Sequence, residues 1–215
     1  MESIQPTIHV SYVLSKLISV KEFFDIDPKG YSENPSKLVY EAAVNNKERG
    51  TSTVVIATIQ QKGKKLRTSL IGDSGYMLLR QTKKNDRTLY TTVYKSKEQQ
   101  HSFNFPFQIG ENGDDPSKSI ANEHKLNKKD IVILGTDGLF DNVYPEDLEQ
   151  LVNETLANGK YDSAGLAKAI AEQAFKNSID TVNISPFAEN ARNAGLRFSG
   201  GKSDDITVVV GRVEE

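Results

Sequence analysis

The residues best placed to do chemistry are four aspartates in three glycine-bearing turns. Asp73 lies in Gly72-Asp73-Ser74-Gly75, directly after the apolar run that ends at Ile71. Asp137 lies in Gly135-Thr136-Asp137-Gly138, after Ile131-Val132-Ile133-Leu134. Asp204 and Asp205 close Gly200-Gly201-Lys202-Ser203-Asp204-Asp205, before the run Ile206 to Val210. A carboxylate at the end of a buried strand is costly unless it is hydrogen-bonded, paired or bound to a cation. One Asp-Gly most often simply makes a turn. Three such strand ends suggest more: if they lie side by side, several carboxylates meet at one rim and repel unless positive charge sits between them. An all-oxygen site of that kind suits Mg²⁺ or Mn²⁺, ions that serve phosphate chemistry. The convergence itself is not visible in the sequence.

Composition narrows the chemistry. The chain has 215 residues, enough for one sizeable domain with a core. With no cysteine there is no disulfide, no thiolate metal site and no cysteine nucleophile. Any metal must be held by oxygen or by His9, His101 and His124. The net charge of -2 gives no global basic surface for nucleic acid, and no apolar run approaches a membrane span. Gly72-Asp73-Ser74-Gly75 has the make-up of the serine turn of trypsin-like proteases, but no recognisable histidine segment precedes it. No phosphate-binding Gly-rich loop followed by Lys-Ser/Thr is present.

The elements that must position these residues read as follows. An apolar stripe of Val10, Val13, Leu14, Leu17 and Ile18 is consistent with a helix. Phe23 to Pro35 is turn-rich and reads as loop. Ser36 can cap a helix from about Lys37 to Asn45. Strands are expected at Val54 to Ile59, Leu66 to Ile71, Tyr76 to Arg80, Thr88 to Tyr94 and Ile131 to Leu134, with a hairpin turn at Gln60 to Lys64. Glu98 to Gly110, rich in phenylalanine and amides around Pro106, reads as an ordered loop. Helices follow from Pro145, from near Asp162 and after the cap Ser185-Pro186. Ile206 to Val210 is the last strand, β-branched and expected to be buried on both faces. Many short strands around a helical block argue an α+β fold.

Leu70 to Tyr76, Thr136 to Asn142 and Gly200 to Thr207 together resemble, in order and approximate spacing, the metal-dependent protein phosphatase 2C family. Glu98 to Gln108 and Ser185-Pro186-Phe187-Ala188 resemble signatures of its mitochondrial T-cell-activation phosphatase branch. The resemblance covers roughly Gly50 to Val213. It implies a two-sheet antiparallel β-sandwich flanked by helices, Mn²⁺ or Mg²⁺ as cofactor, and a phosphoprotein substrate. It implies that phosphoserine or phosphothreonine is hydrolysed by metal-activated water. By the family pattern Asp137 and Asp204 are the catalytic metal ligands, Asp73 serves a further metal, and Asp205 is a neighbouring or alternative ligand.

The chain departs from the family at one point. Members carry an Asp-Gly motif before the first matched strand, and Met1 to Asp114 contains none. The expectation is therefore a divergent or replaced segment over 1–35 and a phosphatase 2C-like domain over 36–215, without its N-terminal strands. The alternative to an active phosphatase is an impaired, phosphatase-like binding protein. A soluble monomer in the mitochondrion or cytoplasm, without nucleic-acid or membrane partners, completes the expectation.

Overall fold

The structure is a computed structural model that describes residues 28–60, 64–84 and 87–214. In chain order the elements are α1 (Pro28–Glu33), α2 (Pro35–Val44), β1 (Thr51–Ser52), β2 (Val54–Gln60), β3 (Lys65–Ile71), β4 (Gly75–Lys84) and β5 (Arg87–Lys95). Then come β6 (Gln100–Ser102), β7 (Phe105–Pro106), β8 (Ile109–Gly110), β9 (Ile120–Lys125) and β10 (Ile131–Gly135). The chain continues through α3 (Asp137–Phe140), α4 (Pro145–Thr155), α5 (Ser163–Ser178), α6 (Pro186–Asn193) and β11 (Val208–Arg212). Helices beside antiparallel sheets give the expected α+β class. The stripe expected at Val10 to Ile18 and the hairpin tip at 61–63 lie outside the described residues. None of the described helices is long and apolar enough to cross a membrane.

The described residues fall into two compact units, one of 28–72 and 107–127, the other of Asp73–Pro106 and Lys128 onward. In the first, β2, β3 and β9 form an antiparallel sheet in that order. Leu38, Val39 and Ala42 of α2 pack with Val54, Ile56 and Ile71 of the sheet. The turn-rich segment before Pro35 holds the short helix α1 rather than loop alone. Helix α2 starts earlier than expected, because Asn34 and not Ser36 is its cap: the Asn34 side chain accepts from the Lys37 N–H. The Ser36 hydroxyl donates to Ser69 Oγ at 3.0 Å.

The second unit carries the aspartates. Its sheet has the order β11-β10-β4-β5, all antiparallel. Strand β10 is buried along its whole length, as its unbroken apolar run predicts. Met77, Leu79, Ile131 and Ile133 pack with Leu148 and Val152 of α4 and with Leu166, Ile170 and Ala174 of α5. Each fully buried aliphatic side chain contributes ~1.5–3 kcal/mol. Strand β11 differs from expectation. Among the described residues it is the sheet edge, and Val208 to Arg212 are half-buried rather than covered on both faces. Its β-branched run reflects fit to a pleated surface. Glu98 to Gly110 includes a small hairpin of β6 and β7.

Candidate active site

Strand register brings the three acidic turns together. Gly135 at the end of β10 pairs with Gly75 at the start of β4 and with Val208 at the start of β11. In an antiparallel sheet, the end of a central strand lies beside the starts of both neighbours. The segments holding Asp73, Asp137 and Asp204 therefore leave the sheet from the same end.

At that end Asp137 opens the single-turn helix α3, and its carboxylate accepts from the Gly138 N–H at 2.9 Å. This is a helix start and not a simple Asp-Gly turn. Gly138 is needed for close approach: a Cβ there would lie 2.6 Å from the Asp205 carbonyl oxygen. Four residues on, Asp141 projects to the same side, as i,i+4 spacing requires.

Lys202 stands at the focus of the cluster. Its Nζ donates to Asp137 Oδ2 at 2.7 Å and to Asp141 Oδ2 at 2.8 Å, and lies 3.1 Å from Asp204 Oδ2. The ammonium is also 5.1 Å from the centre of the Phe187 ring. The loop that delivers it is pinned by Asn142, which is 2% exposed. Asn142 Oδ1 accepts from the Lys202 N–H, and Asn142 Nδ2 donates to the Lys202 and Gly138 carbonyls. Gly200 has φ +83°, and a Cβ on Gly201 would fall 2.0 Å from the Asn177 carbonyl oxygen, so the pair seats the loop against the end of α5.

The electrostatics follow from burial. Asp73 is 8% exposed. Loss of hydration, then the negative charge of Asp137, pushes its carboxyl up to about 7. Burial lifts Asp141 to about 6, with Lys202 pulling the other way. Burial also works against ionisation of Asp204, but Lys202 and the Asp205 N–H hold it below its usual value. Burial opposes the charge on Lys202 too, yet its hydrogen bonds to Asp137 and Asp141 raise its pKa well above that of an ordinary lysine.

A cleft of about 380 Å³ opens beside the cluster, lined by Asp73, Glu98, Gln100, Phe103, Asn104, Asp141, Phe187 and Asn190. Phe103 packs on Phe187 with ring centres 5.0 Å apart. The Phe187 N–H donates to the Asp141 carbonyl at 3.0 Å. The aromatic-amide loop and the Ser185-Pro186-Phe187 motif thus both arrive at the aspartates.

Of the residues singled out in the sequence, Asp73, Asp137 and Asp204 come together. The carboxylate of Asp205 does not: it is exposed, and among the described residues no hydrogen bond or ion pair links it to the cluster. Asp205 contributes backbone instead, its carbonyl accepting from Thr136 Oγ1 at 3.1 Å. Sequence reading passed over Asp141, Asn142 and Lys202. The four-residue spacing of Asp137 and Asp141 was a usable signal, whereas nothing local marks Lys202 or Asn142.

Among the described residues no group of three or more His, Asp or Glu side chains is arranged as a ready metal site. The donor chemistry nevertheless fits a hard divalent cation. The acceptors of the cluster are all oxygen, and three carboxylates contact one ammonium, with Asp73 close enough to feel their charge. Asp73, with its pKa driven up, is a carboxylate short of positive compensation.

No family model matches the chain. It is 37% identical over 187 residues to probable protein phosphatase 2C 80 of Arabidopsis thaliana, covering 86% of this chain and 42% of the relative. It is 36% identical over 176 residues to the protein phosphatase PTC7 homolog of Danio rerio, covering 77% and 56%. The chain thus spans about half the length of the curated relatives it matches. Among solved structures, the photosystem II phosphatase PBCP superposes with a TM-score of 0.78 at 25% identity, covering 91% of this chain and 76% of that one.

Proposed function

Since the chain belongs to the protein phosphatase 2C family, in the lineage that includes the PTC7 homologues, we propose that it is a metal-dependent protein serine/threonine phosphatase. The observation that carries this reading is the strand register that sets Asp73, Asp137 and Asp204 at one end of a sheet, beside an amide- and aromatic-lined cleft.

The cleft wall carries the carboxylates of Asp73, Glu98 and Asp141. A phosphate dianion entering it meets like charge and is repelled unless cationic charge is added. Asp73, Asp137 and Asp204 are the residues that would hold Mn²⁺ or Mg²⁺. The chemistry such an ion supplies is polarisation of a phosphoryl oxygen and acidification of water. Gln100, Asn104 and Asn190 offer amide donors to the phosphate or to the peptide around it. Phe103 and Phe187 give the phosphorylated residue an apolar wall that limits water. Asp141 lies in the cleft wall, where its carboxyl oxygen can exchange a proton with water or with the leaving group. A phosphoserine- or phosphothreonine-bearing protein is the substrate class, and a mitochondrial location belongs to the same proposal on the resemblance to that branch.

Purified protein should release phosphate from a phosphothreonine peptide with Mn²⁺, and EDTA should stop it. Asp137→Ala should lower turnover by at least ~10²-fold while the fold, read by circular dichroism, is kept. Turnover indifferent to EDTA, or phosphopeptide binding with no turnover, would overturn the reading.

A further inference from the structure

We propose that Lys202 is a tethered counter-ion of the acidic site. Its ammonium stands among Asp137, Asp141 and Asp204 where a divalent cation would bind, so the ion loads only as Lys202 withdraws. This rests on the metal-dependent reading above.

Three carboxylates surround the ammonium at 2.7, 2.8 and 3.1 Å. An ammonium has three donors, so these partners can satisfy it fully. Its side chain is 18% exposed, which removes it from the weak regime of surface ion pairs. The backbone is fixed by Asn142 on both its N–H and its carbonyl. The main chain of Lys202 is therefore rigid, while its four-carbon stem can rotate. Asp137 and Asp204 give their Oδ2 atoms to Lys202 and their Oδ1 atoms to the backbone N–H groups of Gly138 and Asp205, so a divalent ion competes with the ammonium for these carboxylates, and the two cations repel at this separation. Removing the ammonium would leave Asp73, Asp137, Asp141 and Asp204 facing one another. Such a cluster binds a divalent ion more avidly and is less stable without one. Lys202 is a positioning residue in this account: it holds the carboxylates in place when the ion is absent and sets how tightly the ion is taken.

The test is calorimetric titration of the full chain with MnCl₂, comparing wild type with Lys202→Met and Lys202→Arg. Lys202→Met should bind Mn²⁺ about tenfold or more tightly than wild type, and melt at a lower temperature in EDTA. Lys202→Arg keeps the charge and should not gain affinity. Equal or weaker Mn²⁺ binding by Lys202→Met overturns the inference and leaves the phosphatase reading standing. Absence of Mn²⁺ binding by both wild type and Lys202→Met overturns both. A wild-type measurement covers the case of a variant that does not fold. Acylation of lysine amines by acetic anhydride, mapped by mass spectrometry, should increase several-fold at Lys202 when Mg²⁺ is added. Unchanged or reduced labelling at Lys202 overturns the inference.

Discussion

At the scale of single residues, the site is governed by how much water each carboxylate has lost. Asp73 lies at about 7 and Asp141 at about 6, both far above the ordinary 3.8 of an unfolded aspartate. An acid whose pKa is raised on folding binds its proton more tightly in the native state. Stability therefore falls as pH rises from near 4 through about 6 and 7. Lys202, whose pKa is also raised, contributes stability that is fully present below its unfolded value of 10.5, so it adds no slope in this window. In EDTA, the melting temperature should decline between pH 4 and pH 7.5. Asp73→Asn removes the larger of the two shifts and should flatten that decline. A variant whose slope matches wild type would show that Asp73 is not ionising against burial.

At the scale of elements, the loop carrying Lys202 and Asp204 depends on its seat. Ser185 is 5% exposed, and its hydroxyl donates to the Gly200 carbonyl at 2.7 Å. The same oxygen accepts from the Ala188 N–H at 3.1 Å, capping α6. Ser185→Ala loses the cap and leaves the Gly200 carbonyl without that donor, a cost of about 1–2 kcal/mol by urea denaturation. Gly201→Ala places a methyl 2.0 Å from the Asn177 carbonyl oxygen, so the loop or the end of α5 must move. It should cost about 1–3 kcal/mol and lower phosphatase turnover more than Ser185→Ala does. A Gly201→Ala protein with wild-type stability would mean that the loop does not need this approach.

At the scale of the whole molecule, all four clustered aspartates, Lys202 and the cleft belong to the second compact unit. A ligand that binds only the native state stabilises it by about 2.7 kcal/mol at a hundredfold excess over its Kd. Mn²⁺ should therefore raise the melting temperature. Hydrogen exchange should slow first at the strand ends around Gly75, Gly135 and Val208. Amides of the β2-β3-β9 sheet should respond less, because local opening free energies differ between cooperative units. Protection confined to that sheet would place the ion elsewhere.

The sequence by itself determined the α+β class, the buried strand β10 and the Ser185-Pro186 start of α6. It also marked Asp73, Asp137 and Asp204. Each of these is a short-range signal: a run of branched apolar residues, a cap with proline behind it, or an acid beside glycine. Element ends were harder to read. Asn34 and Ser36 are both able caps; Asn34 caps the helix, and the Ser36 hydroxyl bonds Ser69, far along the chain. Only the tertiary structure decided that three turns separated by dozens of residues share one sheet end, because strand order and register come from long-range pairing. It also showed that β11 is an edge among the described strands, that Asp205 meets the cluster through its backbone, and that Asp141, Asn142 and Lys202 organise it. No local pattern could announce an ammonium that is held by partners 61 and 65 residues away. Its role exists only once the fold has brought those carboxylates within 3 Å of it.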